Sequence, residues 1–522
     1  MTAIPLGTVF ARAVARDPGA LAVVDGPVRM TYAEWNDEIA RVAAGLTRLG
    51  IDTGDAVAAV LSNRVETVTL FWACQRIGAA FVPFNWRGST DDFAYVIENC
   101  EAKVFFYEPR SEASAIEALR ATGFPEDRRV RVGGAAGEGA AFEDLAGAAG
   151  GSAPRPADPA STCLMLYTSG TTGRPKGVPR THNAERNATF NCVAQLHYRY
   201  GEVQLGVMPL FHTMGVRALE MAAALNGAFV CMPAFDAGDA IGLIETERIE
   251  ALFLVPTMFH DMVHHPGIAA ADLTSVRHIG FAGTSMTSAL TRTCAEIFEP
   301  EVFVNFYGSS EIYSFAVCDH VVDKPGCAGR AATGQELRVV FADPDCRSGP
   351  DEILPRGEIG EVIAPMACLD AFAGYWKRPD ADAKAIRGGW YFTGDLGYFD
   401  EDGELFLVGR VDDMIISGGE NIHPEEVEDA LDALPLVRQA AVIGIPDDRM
   451  GQKVVAFVEP ASSEASAERL DAACLAGDLA RFKRPRAYVF VESIPRSASG
   501  KLLRRLLRDG AYTVLPDFDS TL

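Results

Sequence analysis

The 522-residue sequence lacks a C-x-x-C pair, has no internal repeat, and contains no apolar run long enough to cross a bilayer. Each absence excludes something. Its 11 cysteines stand singly and are odd in number, which argues against a disulfide framework and suits small buried hydrophobes in a reducing compartment. The charge-free stretch from Met221 to Phe235 is interrupted by Gly, Pro and Asn and falls short of the roughly 20 apolar residues that a spanning helix needs. The start of the chain meets Arg12, Arg16 and Asp17 before an apolar signal core forms, so the expectation is a soluble cytoplasmic protein without membrane association. Positive charge is also scarce: 47 Lys and Arg face 71 Asp and Glu, a net charge of −24 at pH 7. Such a surface repels nucleic acid, and any phosphorylated ligand must be met by a local basic cluster.

The chain does have an ordinary globular composition, with 48% hydrophobic and 23% charged residues, and its length suits two or three domains. Thr31 is a candidate N-cap and Gly50 a stop for a helix within TYAEWNDEIARVAAGLTRLG. Short apolar runs (VAAVL, AKVFFYE, TCLMLYT, ALFLVP, RHIGFAG, VFVNFYG) alternate with helical patterns, the rhythm of a parallel sheet covered by helices. The Gly/Ala-rich stretch 133–160 has no periodicity and reads as a surface insertion or linker. After Gly409 short strands alternate with two helical segments, PEEVEDALDALP and ERLDAACLAGDLA. The expected fold class is therefore α/β: a large N-terminal domain, 1–411, with helix-covered β-sheets, and a small C-terminal α+β domain, 412–522.

Four windows carry chemistry. Tyr167-Thr-Ser-Gly-Thr-Thr-Gly-Arg-Pro-Lys-Gly177 follows a strand and combines glycines, hydroxyls and one lysine, a phosphate cradle or else a polar glycine-rich turn. It is not a Walker A loop, because Pro175 stands where that motif needs Gly. Asn305-Phe-Tyr-Gly-Ser-Ser-Glu311 ends a strand in a turn that offers an aromatic ring and a carboxylate, or is an ordinary strand-end turn. Asp395 in WYFTGD and Arg410 in GRVDD suit a ribose diol and phosphate oxygens, against the alternatives of an Asx turn and a surface ion pair. Lys501 in PRSASGKLLRR follows a Gly turn and can swing into a site or simply be solvated.

In this order and spacing the four windows resemble the adenylate-forming superfamily of acyl-CoA synthetases, adenylation domains and luciferases, over about residues 5–508. The run GRVDDMIISGGENIHPEEVE and ARFKRPR are most similar to bacterial aryl-CoA ligases of the 4-chlorobenzoate type. The resemblance implies two steps, acyl-adenylate formation from Mg-ATP and then thioester formation with coenzyme A after rotation of the small domain. It places Thr168, Ser169, Gly170, Thr171, Thr172, Gly173 and Lys176 on the phosphates, Asn305, Tyr307, Gly308 and Ser309 around the nucleotide, and Glu311 on magnesium. Asp395 and Arg410 would take the ribose, Lys501 would bridge carboxylate and α-phosphate, and Asp412 would be the hinge. Gly418 and Gly419 would line the pantetheine tunnel, with Phe482, Arg484, Arg486 and Arg87 at the CoA nucleotide. His212, beside Phe211, would gate the acid pocket and touch its carboxylate; a core histidine is the competing account. Phe190, Thr213, Met214, Gly283, Phe306, Gly308 and Tyr313 would line that pocket and favour a small aromatic or heteroaromatic acid such as a benzoate, halobenzoate or furoate.

Alternatives are a short- or medium-chain acyl-CoA synthetase, or a stand-alone adenylation enzyme loading a carrier protein. One departure stands out: Met450 occupies a place where the chlorobenzoate ligases carry a tryptophan, which weakens the expected stacking on CoA adenine. The other eight histidines show no metal-ligand spacing. The sequence allows a homodimer without specifying one. The segment Arg481 to Arg508 holds nine basic residues and one acidic, Glu492, a net of +8, leaving −32 on the rest of the chain. It is the basic cluster that phosphorylated cosubstrates require.

Overall fold

The computed structural model describes residues 4–134, 137–147, 157–168, 174–343, 346–418, 420–477, 479–496 and 502–520. The chain divides into two compact units, Met1–Glu336 with Met366–Ala383, and Leu337–Pro365 with Lys384–Leu522. The sequence boundary at residue 412 falls inside the second. Among the described residues no helix is long and apolar enough to cross a membrane.

The first unit holds two sheets flanked by helices, as the alternating rhythm predicts. In one, strands Val104–Tyr107, Ala56–Val60, Ala80–Pro83 and Thr162–Thr168 run parallel, and Lys176–Thr181 closes the edge as an antiparallel hairpin partner. In the other, Val203–Gly206, Ala251–Leu254, His278–Ala282 and Val302–Tyr307 run parallel before Ala316–Cys318 and Cys327–Ala331 turn antiparallel. The parallel strands are buried on both faces, which explains their continuous apolar sequences. Thr31 caps helix Tyr32–Arg48 in a reciprocal box with Glu34, as its sequence position predicts. The stretch 133–160 departs from expectation. Its helix Phe142–Ala146 buries Phe142 and Leu145 in the main core, so this part is docked rather than a loose insertion. Two isolated apolar side chains suffice for docking but are too few to produce a readable period.

The second unit contains an antiparallel sheet of Arg338–Val340, Gly360–Pro365, Trp390–Phe399 and Leu405–Arg410. It also contains an α+β layer in which Val437–Asp447, Gly451–Pro460 and Ala487–Phe490 pack against helices Pro424–Asp432 and Ala467–Ala476. Pro424 opens its helix at the first turn, where a missing N–H costs nothing. Arg504 fastens this layer: its guanidinium, 9% exposed, donates to Glu428 at 2.7 Å and Glu425 at 2.9 Å, approaches Asp413 at 3.5 Å and donates to the Val442 carbonyl at 3.3 Å. Burial pushes the Glu425 carboxyl up to about 7, against the opposing pull of Arg504. Arg504→Met is expected to destabilise the chain by about 3–5 kcal/mol, because two buried carboxylates lose their cation. Urea denaturation followed by circular dichroism checks this, and the deficit should shrink in acid as Glu425 and Glu428 protonate.

Candidate active site

Strand Thr162–Thr168 and strand Lys176–Thr181 place Thr168 directly opposite Lys176 at the open end of their hairpin. The connecting residues Ser169, Gly170, Thr171, Thr172 and Gly173 lie outside the described residues, as do Gly419 and Lys501. The Thr168 hydroxyl is buried with no hydrogen-bond partner among the described residues. The Lys176 ammonium lies 4.1 Å from the centre of the Tyr375 ring, and the Tyr375 hydroxyl donates to Glu311 Oε1 at 2.7 Å. Lysine, tyrosine and carboxylate thus form one row. Trp376 secures it, donating its backbone N–H to Gly177 and its indole N–H to the Asn99 carbonyl. Tyr375 and Trp376 were not singled out from the sequence. Their signal was the Gly-aromatic pair Gly374-Tyr375, where Gly374 takes φ +110° beside the Asp382 carboxylate, a conformation L side chains resist.

The turn after Val302–Tyr307 differs from its sequence reading. Tyr307 is only 9% exposed and packs on Phe315 at 4.9 Å, so the strand end covers this ring rather than offering it. Gly308 is required by close approach: a Cβ there would meet the Tyr313 carbonyl at 1.8 Å. Ser309 Oγ accepts from the backbone N–H groups of Glu311 and Ile312 and shapes the turn that presents Glu311. Asn305 donates to the Cys327 carbonyl at 2.7 Å.

Beneath the turn lies a fully buried ionic cluster. Arg180 donates to Glu185 at 2.6 Å and to the Glu311 carbonyl at 2.9 Å, while Arg217 binds Glu185, Glu220 and Thr189. The two guanidiniums sit 4.0 and 4.5 Å from the centre of the Tyr313 ring, which is 2% exposed. The Arg180 Nη2, Arg217 Nε, Glu220 Oε1 and Tyr313 hydroxyl atoms are buried without hydrogen-bond partners among the described residues. Burial pushes the Glu220 carboxyl up to about 8 and outweighs the opposing effect of Arg217.

The remaining pocket residues separate. His212 caps helix Thr213–Ala224, its Nδ1 accepting from Met214 N at 3.3 Å, so the neutral ring carries its proton on Nε2. Met214 is buried, and the Thr213 hydroxyl is buried without a partner among the described residues. Phe306 is buried edge-on to Phe253, and Gly283 follows its strand at φ +90°. Phe190 is not gathered with them: it is 48% exposed and lines a groove with Val9, Arg12, Arg16 and Arg186. Helix His182–Gln195 turns this position outward, which a linear motif could not reveal.

In the second unit Asp395 and Arg410 are direct cross-strand partners and pair at 2.5 Å, with the Asp395 N–H donating to Thr393. Asp412 lies in the short turn Val411–Asp413, whose last residue binds Arg504 and Arg508. Gly418, at φ +61°, donates its N–H to the Met450 carbonyl and lies against the Met450 methyl. Phe482 is exposed beside Lys483, and the Arg486 side chain is exposed. In the first unit Arg87 stacks on Trp86 at 3.9 Å, with Arg110 on the same ring at 5.6 Å. The C-terminal basic segment is less available than its net charge suggests. Lys483 pairs with Glu426, Arg484 with Asp471, Arg504 with Glu428 and Arg508 with Asp413.

The buried cluster sets a pH dependence. The Glu220 carboxyl keeps its proton in the folded chain up to about 8, whereas the unfolded chain releases it near 4.5, so its contribution to stability falls as pH rises between those values. Glu220→Gln is expected to flatten the decline in melting temperature between about pH 5 and about pH 8, measured beside the parent protein.

Comparison with known proteins places this geometry. Residues 10–376 match the model of the AMP-binding enzymes, and 426–501 match the AMP-binding enzyme C-terminal domain. A 4-chlorobenzoate–CoA ligase of an Arthrobacter species is 34% identical over 506 residues, covering 95% of this chain and 93% of that one. A long-chain fatty acid–CoA ligase of Mycobacterium tuberculosis is 33% identical over 499 residues, 94% of each chain. The solved structure of an anthranilate CoA ligase in complex with anthranoyl-AMP superposes with a TM-score of 0.87 at 26% identity, over 98% of each chain. ATP, Mg2+ and coenzyme A are the cosubstrates of the ligases in this group. The chain belongs to the AMP-binding, adenylate-forming enzymes, with aryl-CoA ligases among its relatives, and is an AMP-forming acid–thiol ligase.

Proposed function

We propose that the protein converts a small aromatic or heteroaromatic carboxylic acid to its CoA thioester through an acyl-adenylate. The observation that carries the acid's size is Tyr313, wedged between the buried guanidiniums of Arg180 and Arg217. The Tyr313 backbone carbonyl closes on Gly308, and moving this residue to admit a longer acyl chain would disturb a charge cluster that has no exposed surface. A flat ring meets instead the apolar edges of Phe306 and Phe253.

In this reading the carboxylate attacks the α-phosphate of ATP, and pyrophosphate leaves. Two anions must meet, so catalysis is neutralisation and positioning. Thr168 and Lys176, with the segment between them, hold the β- and γ-phosphates. Glu311 holds magnesium, which when bound supplies charge compensation at the phosphates. The Tyr375 hydroxyl on Oε1 fixes the Glu311 carboxylate, and the Lys176 ammonium is steered by the same ring. His212 offers its Nε2–H to the acid's carboxylate, at a helix N-terminus that favours negative charge. Asp395 takes the ribose diol, which requires it to share or exchange its pairing with Arg410. Lys501 bridges carboxylate and α-phosphate in this first step. Rotation about Asp412 then exchanges Lys501 for the face bearing Gly418 and Gly419, and the CoA thiol displaces AMP. Arg87 stacked on Trp86, exposed Phe482 and Arg486 are the CoA nucleotide contacts of this reading. Arg484 is a weaker candidate because Asp471 already pairs with it.

A panel of acids assayed by pyrophosphate release tests the substrate class. Benzoate-, halobenzoate- or furoate-type acids should be activated fastest, and octanoate outrunning every aryl acid would sink the assignment. Comparing free CoA with a carrier-protein thiol as acceptor separates the CoA ligase from an enzyme that loads a carrier. Tyr375→Phe keeps the ring under Lys176 but drops the bond to Glu311. It should slow adenylate formation by about 10- to 100-fold, the worth of one hydrogen bond to a charged group.

A further inference from the structure

The sequence shows no C-x-x-C pair and no histidine spacing of a metal site, yet the fold brings two cysteines and a histidine together. Strand Ala316–Cys318 ends where Cys318 points from its terminus, and strand Cys327–Ala331 begins with Cys327 beside it. The connection carries His320. One ligand atom from each of Cys318, His320 and Cys327 lies within 4.8 Å of the other two. In a tetrahedral site with Zn–S near 2.3 Å the sulfurs stand about 3.8 Å apart, so a small closure would bring the three to bonding distance.

Three further features are those of a metal's surroundings rather than of incidental proximity. First, the Gly329 N–H donates to Cys327 Sγ at 3.2 Å, a bond that favours the thiolate form a metal requires. Gly329 is itself obliged to be glycine: at φ +93° a Cβ would fall 1.9 Å from the Val317 carbonyl, so the backbone folds tightly over the end of the neighbouring strand. Second, His320 Nδ1 lies 3.0 Å from Asp319 Oδ1. A carboxylate there holds the ring proton on Nδ1 and leaves the lone pair on Nε2, the usual orientation of a ligating histidine. Third, both cysteines are buried while the histidine is half-exposed, which gives a dry thiolate pair an entry path from solvent.

We propose that Cys318, His320 and Cys327 bind a thiolate-preferring divalent ion, Zn2+ first, with water in the fourth position. Two thiolates and one imidazole select zinc over magnesium or calcium, whose preferred ligands are oxygens. The role is structural. Cys318 pairs with Asn305 in the antiparallel register, and Asn305 donates its amide to the Cys327 carbonyl at 2.7 Å, so the ion would clamp the strand that presents the Asn305–Glu311 turn. The proposal does not depend on which acid the enzyme activates.

The test uses the full-length protein without nucleotide, stripped by chelator under reducing conditions and titrated with Co2+ and Zn2+. One Co2+ per chain with a thiolate-to-cobalt charge-transfer absorption, displaced by one Zn2+ and accompanied by a rise in melting temperature, is the expected result. Cys327→Ser should abolish the charge-transfer band. Because a buried cysteine change can disturb folding, Asp319→Asn is the companion variant: it lies on an exposed side chain and should weaken Zn2+ affinity by roughly 10- to 100-fold, as loss of a carboxylate behind a ligating histidine does. Absence of the band in the parent protein, or equal Zn2+ affinity in the parent and both variants, would overturn the site.

Discussion

Everything around the proposed acid pocket depends on a phenol ring held between two buried guanidiniums. Arg180 comes from the hairpin strand after the glycine-rich segment, Arg217 from the helix that His212 caps, and Tyr313 from the turn that presents Glu311. Glu185 joins both arginines from a third element, helix His182–Gln195. Three stretches distant in sequence, the 176–195 strand and helix, the 213–224 helix and the turn at Tyr313, are thereby fixed at one point. A cluster of this kind is a poor source of net stability, since desolvating its charged groups cancels most of their attraction and burial already keeps Glu220 protonated up to about 8. What it supplies is registry: with no solvent to substitute for a lost partner, shifting any one member leaves a buried charge unpaired. The Arg180 bond to the Glu311 carbonyl carries that registry directly to the carboxylate assigned to magnesium.

The second unit uses the same device. Arg504 collects Glu425, Glu428 and Asp413. Asp413 directly follows Asp412, so the residue next to the proposed pivot is anchored to the C-terminal layer. A rotation about Asp412 would then carry that layer as one piece, because the ion cluster lies wholly on one side of the pivot.

How far the sequence could be read follows from the range of the interactions. The strand rhythm, the Thr31 cap and the Pro424 start were legible because they are set by neighbours a few residues away. The family was legible because four windows agreed in order and spacing. Hidden were the features that depend on pairing across the fold. Phe190 shares a helix with buried Ala188 but faces out; Arg180 and Arg217 look like surface charges until Tyr313 lies between them; Tyr375 lies 64 residues from the Glu311 it binds. Cys318 and Cys327 are spaced for no common metal motif, and a strand pairing brings them together.

The basic C-terminal segment shows why counting charge along a sequence can mislead. Its excess of +8 suggested a landing surface for ATP and CoA in an otherwise acidic chain. In the fold Lys483, Arg484, Arg504 and Arg508 are matched by Glu426, Asp471, Glu428 and Asp413, which are distant in sequence and therefore absent from the local count. An arginine already held by a carboxylate gains little from a phosphate, because the new bond must replace the old one. The segment's other exposed arginines, Arg481, Arg486 and Arg505, are then the ones left to meet a phosphorylated ligand. Four of the segment's nine cations serve to hold its own layer together. A cation spent inside its own layer is not counted twice, so the net charge of a segment overstates what it can offer a ligand whenever its partners come from elsewhere in the chain.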